Sequence, residues 1–321
     1  MSAPVSGPMS APASADGWLD LSAGASGDML LGALLGAGVD LAVLQDAVDP
    51  LGLPIRFRAE PVRRAGLAAT KAHVDVPAET QRRTWSDVRG LLGRLTDPGL
   101  RDLSLQVFGA LAEAEGAVHG IPAADVHFHE VGALDAVADV VGVCAGFRQL
   151  GLTRLVVSPV AVGTGAVATE HGLLPVPGPA VLELLRAGGV PTAASEVAHE
   201  LCTPTGAALV AVLADGVGPM PPLRIAAIGT GAGGRDVPGR PNVVRLVVGE
   251  QAAAAGAADA AEPPAEPAVL LEANVDDLDP RVWPEVLATL LDGGAADAWL
   301  IPIVMKKGRP ATTLAVLCAP E

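Results

Sequence analysis

A segment of low complexity divides this chain of 321 residues into two parts. Residues 251–267, QAAAAGAADAAEPPAEP, combine small residues, acids and prolines without a hydrophobic period, a composition that is typical of a linker. The break predicts an N-terminal domain over residues 18–250 and a second unit over residues 268–321. Residues 1–17 have neither the basic start nor the apolar core of a signal peptide, and we expect them to form a disordered leader.

The N-terminal domain has the mixture of strands and helices of an α/β (mixed α+β) fold, with glycine-rich loops between them. A short apolar strand over Trp18–Leu21 leads through a turn of small residues into a helix over Asp28–Leu35. Alternating apolar residues predict a β-hairpin within Pro54–Val76. The pattern also predicts a helix that begins at Thr84, helices over Asp102–Val118 and Asp135–Leu150, and strands over Leu155–Val157 and Val243–Val248.

The second unit has a clearer order of elements. Its apolar pattern predicts a strand over Val269–Val275, a helix over Pro280–Leu291, and strands over Ala298–Val304 and Thr312–Leu317. The order β-α-β-β is the first two-thirds of a ferredoxin-like β-α-β-β-α-β unit. We therefore expect an incomplete, C-terminally truncated unit whose sheet leaves apolar surface uncovered.

Composition argues against several classes of protein. A net charge of −15, no tyrosine and only four phenylalanines disfavour a nucleic-acid-binding protein, which needs a basic face and aromatic stacking surfaces. The most apolar stretch, Ala136–Phe147, is interrupted by Asp139 and is too short to cross a membrane. The three cysteines, Cys144, Cys202 and Cys318, form no pairing framework, which favours a reducing cytoplasm.

The segment LDLSAGASGDML, residues 19–30, is the first candidate site. A strand that passes through a glycine-rich turn into a helix leaves free N–H groups at the helix N-terminus, which predicts an anion site around Gly24 and Gly27. Asp28 is placed either to cap the helix or to bind a metal. The alternative is an ordinary tight turn with a capped helix.

A second candidate site lies in the segment VHFHEVGALDAVAD. If the segment is a strand, the imidazoles of His127 and His129 face the same side, beside Glu130. Asp135 and Asp139 share one helix face at i, i+4 spacing. Imidazole and carboxylate groups are suitable ligands for zinc, nickel or manganese. The alternative is that the acids cap the following helix and the histidines are merely exposed.

Three further segments consist largely of small residues and are expected to be loops: residues 162–179, which include His171, residues 200–209, and residues 229–242. In the second of them Thr205 is a candidate N-cap for an apolar helix. In the third, Arg235, Asp236 and Arg240 either bind an anion or lie in a solvent-exposed loop.

The second unit contains a cluster of acids and bases. Asp276 and Asp277 follow its first strand, while Lys306, Lys307 and Arg309 lie in its hairpin. Only three of the chain's 21 lysines and arginines are lysines, and two of these three are adjacent here. We expect these acids and bases to lie on the ends of neighbouring strands. Acids that bind a divalent metal and bases that bind phosphates in this arrangement predict a metal–nucleotide site. The alternative is a hairpin stabilised by salt bridges.

Seven segments, in this order, resemble the LarC family of nickel insertion proteins. They are SAGASGDM, VHFHEVGALDAVAD, HGLLPVPGPA, ELCTPTGAAL, GTGAGGRD with RPNVVR, LEANVDD and PIVMKKGRP. Each segment alone is weak, but seven in register are specific. The resemblance extends from Trp18 to Cys318.

The resemblance implies a CTP-dependent nickel chelatase, or cyclometallase, of the lyase class. Its substrates would be nickel and pyridinium-3,5-bisthiocarboxylic acid mononucleotide, and its product would be the nickel-pincer cofactor of lactate racemase-type enzymes. Nickel would be held by two sulfurs and one carbon. CTP would be converted to CMP and pyrophosphate with Mn²⁺ or Mg²⁺. The family is compatible with a homo-oligomer, and with a C-terminal part that is separate or joined by translational frameshifting.

The resemblance also suggests roles for the candidate residues. In the family the CTP–metal site belongs to the C-terminal domain, and the matching positions are the acids and bases of the second unit. Replacing a ring C–H by C–Ni requires a base, for which histidine is suited near neutral pH. We therefore expect His127, His129 and Glu130 to bind nickel or accept the proton, with Asp28 and His171 as outer candidates.

Two other functions remain open from the residues alone. A nickel chaperone or carrier without turnover would need the His127 region but not the Lys306 region. A nucleotide-dependent phosphotransferase would need the acids and lysines of the second unit but no nickel.

Overall fold

The computed structural model describes residues 15–77, 83–128, 134–169, 172–237, 239–252 and 268–319. The chain divides into two compact units, Met1–Ala253 and Ala254–Glu321, called here the first and second units.

The first unit is a mixed α/β structure. Its strands are β1 (Ala15–Asp20), β2 (Arg56–Arg64), β3 (Leu67–Asp75), β4 (Arg83–Thr84), β5 (His127–Phe128), β6 (Leu152–Val157), β7 (Val160–Ala161), β8 (Ala166–Thr169), β9 (Gly172–Pro175), β10 (Thr192–Ala193), β11 (Gly216–Val217), β12 (Leu223–Ala232) and β13 (Val243–Gln251). Its helices are α1 (Gly27–Gly36), α2 (Leu41–Val48), α3 (Trp85–Leu92), α4 (Pro98–His119), α5 (Leu134–Leu150), α6 (Pro179–Ala187) and α7 (Pro204–Leu213).

A seven-stranded sheet forms the framework of the first unit, with the strand order β11-β6-β1-β13-β12-β3-β2. Strand β1 pairs in parallel with β6 and antiparallel with β13, and β12 pairs in parallel with β3. The sheet is therefore mixed, which confirms the predicted mixed α/β class. Because β1 lies inside the sheet, between β6 and β13, the turn that follows it starts at the end of an interior strand.

Helix α1 packs directly against the sheet through glycines on both elements. Its Leu30, Leu31 and Leu34 are at most 1% exposed, and each such burial contributes about 1.5–3 kcal/mol. A Cβ at Gly229 or Gly231 of β12 would overlap backbone atoms of α1, so the helix and strand approach each other only because these positions lack side chains.

The glycines of residues 229–232 therefore belong to a strand, which corrects the prediction that residues 229–242 are a loop. Helix α7 follows Thr203 as an apolar helix was predicted to do, whereas α2, α6 and the hairpin β8–β9 were not predicted. Helix α4 begins at Pro98, four residues before the predicted start at Asp102, because Asp97 accepts a hydrogen bond from Leu100 N (3.1 Å) and caps it.

The cap of α7 is a further correction. Thr203, not Thr205, is the N-cap, because its Oγ1 accepts a hydrogen bond from Gly206 N at 3.1 Å. Pro204 occupies the first helical position, where a missing N–H costs nothing. Thr205 lies inside the helix and is buried.

The predicted leader and linker fall mostly on residues outside the described ranges. Residues 15–17 of the predicted leader belong to β1, and Gln251 of the predicted linker is the last residue of β13. Residues 1–14 and 253–267 lie outside the described part of the chain.

The second unit contains β14 (Val269–Val275), a short 3₁₀ turn (Pro280–Val282), α8 (Trp283–Asp292), β15 (Asp297–Met305) and β16 (Arg309–Cys318). The three strands form an antiparallel sheet in the order β14-β16-β15. The predicted ferredoxin-like description stays a prediction. Several large apolar side chains of this unit are exposed, including Leu270, Leu271, Ile301 and Val304.

No helix among the described residues is both long enough and apolar enough to span a membrane.

Candidate functional site

The first unit contains a cavity of about 400 Å³ at the edge of the central sheet. Four segments meet there: the turn between β1 and α1, the β8 strand, the residues before α7, and the loop between β12 and β13. The lining residues include Ser26, Asp28, Met29, Ala166, Val167, Ala168, His199, Glu200, Leu201, Thr203, Gly233, Gly234, Arg235 and Asn242. The small-residue segments that the sequence analysis singled out separately therefore form one site.

Backbone hydrogen bonds hold the first and third segments together. Ala25 N donates to Leu201 O at 3.0 Å, and Thr203 N donates to Ala25 O at 3.0 Å. Gly24 has φ +106°, and a Cβ there would overlap the carbonyl of Leu201. Glycine at this position is therefore required by backbone conformation and by packing. The predicted role of Gly24 in anion binding stays a prediction.

Asp28 lies in the first turn of α1, and its carboxylate is held on both oxygens. Oδ1 accepts hydrogen bonds from the Ser26 hydroxyl and from Met29 N, the latter at 2.9 Å. Oδ2 accepts a hydrogen bond from the ammonium group of Lys71 on β3. The Lys71 side chain is 13% exposed and that of Asp28 is 30% exposed, so this ion pair is largely withdrawn from water.

A second carboxyl group lies behind the same turn. A Cβ at Gly27 would overlap the carboxyl group of Asp139 on α5, so glycine at position 27 makes room for Asp139. Asp139 Oδ1 is buried and has no hydrogen-bond partner among the described residues. Burial raises the pKa of Asp139 well above its usual value, and the charges of Asp28 and Asp135 raise it further, whereas Lys71 lowers it. We call Asp28, Lys71 and Asp139 the Asp28 cluster.

His199 also lines the cavity. Its Nε2 is buried and has no hydrogen-bond partner within the described part of the chain. Its backbone is fixed, since Gly163 (φ +82°) lies so close that a Cβ would overlap the His199 carbonyl oxygen. The same ring also borders a second, open cavity of about 770 Å³ that includes Ser195 and Arg240.

Cys202 is close to these residues in the chain, but its thiol is unreactive near neutral pH. Burial, and then the charge of Glu200, raise the pKa of the Cys202 thiol to about 12. The thiol therefore stays protonated near neutral pH and is not a ready metal ligand.

The predicted histidine site is only partly within the described residues. His127 is exposed at the end of β5, which pairs with β4 through His127 and Thr84. His129, Glu130 and His171 lie outside the described residues, so their predicted roles stay predictions. Among the residues that the structure describes, no three His, Cys, Asp or Glu side chains come together as a metal site.

Asp135 and Asp139 differ in surroundings although they are one turn apart on α5. Asp135 is exposed and accepts a hydrogen bond from Ala136 N at 2.8 Å, whereas Asp139, whose Oδ1 is buried, belongs to the Asp28 cluster. The alternative interpretation, that both acids serve as helix caps, is wrong for Asp139.

In the second unit, the predicted acids and bases lie at one end of the sheet. Val275 pairs with Thr312 and Met305 pairs with Arg309, so β14 and β15 end on the same side. Strand β16 separates them, which corrects the expectation that the two strands are neighbours. Two strand spacings and a stagger of three residues along β16 place Val275 and Met305 about 14 Å apart.

Lys307 has an unusual backbone conformation for its residue type. Its φ of +66° is in the left-handed region, which favours glycine or asparagine. Within residues 268–319, none of Asp276, Asp277, Lys306 and Lys307 forms a salt bridge. The alternative of a hairpin stabilised by salt bridges among these residues is therefore wrong.

Comparison with known proteins identifies the family. Residues 18–321 match the family described as "Nickel insertion protein". This chain belongs to the nickel insertion protein family. A relative from Nocardioides sp. strain JS614, named pyridinium-3,5-bisthiocarboxylic acid mononucleotide nickel insertion protein, is 60% identical over 303 residues, which cover 94% of this chain and 74% of the relative.

A second relative with the same name, from Desulfitobacterium hafniense strain DCB-2, is 41% identical over 301 residues, which cover 93% of this chain and 74% of that relative. No solved structure matches the chain. The resemblance to the LarC family of nickel insertion proteins, which rested on seven short segments, is confirmed by these comparisons.

For this nickel insertion protein, sequence reasoning identified Asp28 as a candidate but missed two residues of the same site. Lys71 was detectable in principle, since it is the only lysine outside the second unit in a chain that otherwise uses arginine. His199 directly precedes the segment ELCTPTGAAL, which was recognised, and adjacency to that segment was the available signal. Asp139 was noted on a helix face, but its burial behind Gly27 follows only from packing.

Proposed function

We propose that this protein inserts nickel into pyridinium-3,5-bisthiocarboxylic acid mononucleotide in a CTP-dependent reaction. The names of the two relatives state this substrate for those proteins. The structural observation that carries the proposal is the cavity of the first unit, where the family segments around Asp28, Glu200 and Gly233 meet. The cavity of about 400 Å³ is lined by the hydrogen-bonded Asp28 carboxylate, by His199, whose Nε2 is buried, and by small residues, which suits a small ligand.

The chemistry requires three tasks of the protein. The two thiocarboxylate sulfurs and one ring carbon of the substrate bind nickel, and the ring carbon loses its hydrogen as a proton when the carbon–nickel bond forms. A protein base takes that proton. Oxygen and nitrogen ligands are suited to hold nickel before its transfer, because they bind nickel less tightly than thiolates do and can release it.

Candidate residues exist for each of these tasks. We propose that Asp28 is a nickel ligand and that His127, His129 and Glu130 bind nickel or accept the proton. Gly24 and Gly27 are proposed to line an anion site at the start of α1, because the first N–H groups of a helix have no partner within the helix.

In the second unit, we propose that Asp276 and Asp277 hold a Mn²⁺ or Mg²⁺ ion and that Lys306, Lys307 and Arg309 bind the CTP phosphates. Carboxylate oxygens are the ligands that these hard cations prefer. The bound cation would neutralise phosphate charge. Water would attack the α-phosphorus of CTP, so that CMP forms and pyrophosphate leaves. The lysines and arginine would hold the phosphates and stabilise the negative charge that develops on this pyrophosphate.

The test is a reconstitution with the purified chain. Ni²⁺, the mononucleotide substrate, CTP and Mn²⁺ are incubated together, and the nickel-containing product is followed by mass spectrometry and absorbance. We expect product only when CTP is present, and CMP in step with it. Nickel bound tightly without product would instead support a carrier, and CTP cleavage that is independent of nickel would support a phosphotransferase.

Variants locate the activity. Asp28→Asn, and separately His127→Ala combined with His129→Ala, should reduce product formation at least tenfold. Asp46→Asn on α2 is the matched control, since this aspartate is exposed and distant in sequence from the family segments. Equal activity of the Asp28 and Asp46 variants would contradict the assignment of the cavity.

A further inference from the structure

We propose that Arg235 binds the phosphate monoester of the mononucleotide substrate and thereby selects the phosphorylated form. This inference rests on the proposed function and assigns one part of its substrate to one side chain. Arg235 is the only arginine or lysine among the described residues that line the cavity of the first unit.

The loop that carries Arg235 is held in place by three groups. Arg64 on β2 donates to Gly233 O through Nε at 3.1 Å and through Nη2 at 2.9 Å. Gly233 N donates to Asn242 O at 2.9 Å, and Asn242 Nδ2 donates to Arg235 O at 3.0 Å. The backbone position of Arg235 is therefore fixed before any ligand binds, which reduces the entropy lost on binding.

The other arginines near this loop already have protein partners. Arg64 also pairs with Asp236 at 3.5 Å. Arg240 donates to Ser22 O and to the Ser195 hydroxyl, and Arg245 pairs with Asp20 on β1. These guanidinium groups hold protein segments together.

Arg235 differs from these arginines. Its side chain is exposed, and it forms no hydrogen bond or ion pair with any residue in the described ranges. A guanidinium group that has no partner, on a fixed loop at the edge of a cavity, is free to bind a ligand.

The phosphate monoester of the proposed substrate is an anion, and its binding has to overcome acidic surroundings. The protein carries a net charge of −15, and the carboxylates of Asp28 and Glu200 also line the cavity. A phosphate dianion would be repelled by such a site unless a fixed cation compensated for it. Lys71 is already paired with Asp28, which leaves Arg235 for this task. The planar guanidinium matches two phosphate oxygens at once, which an ammonium group does not.

Two phosphate ligands of the proposed reaction could use this side chain, the monoester of the mononucleotide and the triphosphate of CTP. We assign the monoester, because Arg235 supplies a single cation, whereas the bases proposed for CTP lie together in the second unit. The experiment separates the two sources.

The test pairs one substitution with one change in the ligand. Binding of the mononucleotide, of its dephosphorylated nucleoside and of CTP is measured by calorimetry for wild type and Arg235→Ala, together with KM and kcat for nickel insertion. We expect the substitution to weaken mononucleotide binding about 10- to 100-fold, with a matching rise in KM, because a hydrogen-bonded charge pair is lost. Nucleoside binding, CTP binding and kcat should change less than about twofold.

Two controls accompany the test. Arg235→Lys keeps the positive charge but lacks the planar guanidinium that contacts two phosphate oxygens. This variant should recover part of the affinity for the mononucleotide that Arg235→Ala loses. Arg186→Ala removes an exposed arginine of α6 that pairs with Glu183, and should bind all three ligands like wild type.

The outcomes are distinguishable. Equal weakening of mononucleotide and nucleoside, or unchanged binding of both, would overturn the assignment of Arg235. Weakened CTP binding alone would assign the side chain to CTP and also overturn it. Wild-type protein that binds the mononucleotide but inserts no nickel would refute the proposed function while the binding comparison still decides the role of Arg235. Wild-type protein that binds neither form would refute both.

Discussion

The ammonium group of Lys71 on β3 donates a hydrogen bond to the Asp28 carboxylate in the first turn of α1. This ion pair links two elements that are 43 residues apart in the chain, at the edge of the proposed substrate cavity. Asp139 lies behind it, with its pKa raised by burial and by the charge of Asp28. The cluster thus holds two carboxyl groups and one ammonium group, and a protonated Asp139 leaves it electrically balanced.

Lys71→Met should destabilise the first unit by about 2 kcal/mol. The pair is neither fully exposed, where such pairs contribute about 0–1 kcal/mol, nor fully buried, where breaking one costs about 3–5 kcal/mol. The loss arises because Asp28 is left partly buried without its cation. Urea unfolding measures the change, and Lys71→Met combined with Asp28→Asn should recover part of the stability. A double variant no more stable than the single one would contradict this account.

Asp139→Asn should change the pH dependence of stability. A carboxyl group with a raised pKa in the folded state stabilises the fold at a pH below its unfolded pKa of about 3.9, and this contribution is lost as the pH rises through the folded pKa. Wild type should therefore lose stability relative to Asp139→Asn as the pH rises from about 4, until the folded pKa is passed. Urea unfolding at several pH values tests this, and a difference that is constant with pH would show that folding does not raise the pKa of Asp139.

Thr203→Ala should destabilise the first unit by about 1 kcal/mol, because Gly206 N at the start of α7 loses its hydrogen-bond partner. Thr203→Ser keeps the hydroxyl group and should be close to wild type. The comparison of urea midpoints checks the corrected cap. A Thr203→Ala variant as stable as wild type would show that the Thr203 hydroxyl does not stabilise the start of α7.

Local patterns predicted those parts of the fold that local interactions determine. The strand over Val269–Val275 was predicted with the observed bounds, and the capping box of Thr84 with Asp87 marks the predicted start of α3. Strand β12 was missed because Gly229 and Gly231 look like loop residues in the sequence. They are glycines because α1 packs against the strand, and that contact joins segments about 200 residues apart, which no local pattern records.

The same limit applies to the candidate site. The glycine-rich turn indicated Asp28, since its residues are consecutive in the chain. The partners of Asp28 come from elsewhere, Lys71 from β3 and Asp139 from α5, and only the packing of α1 brings them together. The fixed position of Arg235 likewise depends on Arg64 and Asn242, which are distant or unremarkable in the sequence.

His199→Ala should lower the rate of nickel insertion at least tenfold with little loss of stability. Its Nε2 is buried in the cavity wall without a protein partner in the described residues, so a ligand is the expected partner. His73→Ala is the matched control, because this histidine is on β3 and its Nε2 contacts Glu60 at 3.0 Å. Insertion rates of both variants under identical conditions provide the comparison. Wild-type activity of the His199 variant would leave its ring with a purely structural role.

The last prediction concerns Lys307, for which stability and activity should change in opposite directions. A lysine in the left-handed conformation is strained, so Lys307→Gly should stabilise the hairpin between β15 and β16 by up to about 1 kcal/mol, measured as slower hydrogen exchange of its amides. If Lys307 binds the CTP phosphates, the same variant, and Lys306→Ala combined with Lys307→Ala, should nearly abolish CTP cleavage. Nickel binding by the first unit should survive.

The control is Arg281→Ala, which removes an exposed cation of the second unit that is paired with Asp279. This variant should cleave CTP normally. Full CTP cleavage by Lys307→Gly would show that this lysine does not take part in the reaction. The strained backbone of Lys307 would then have no functional explanation.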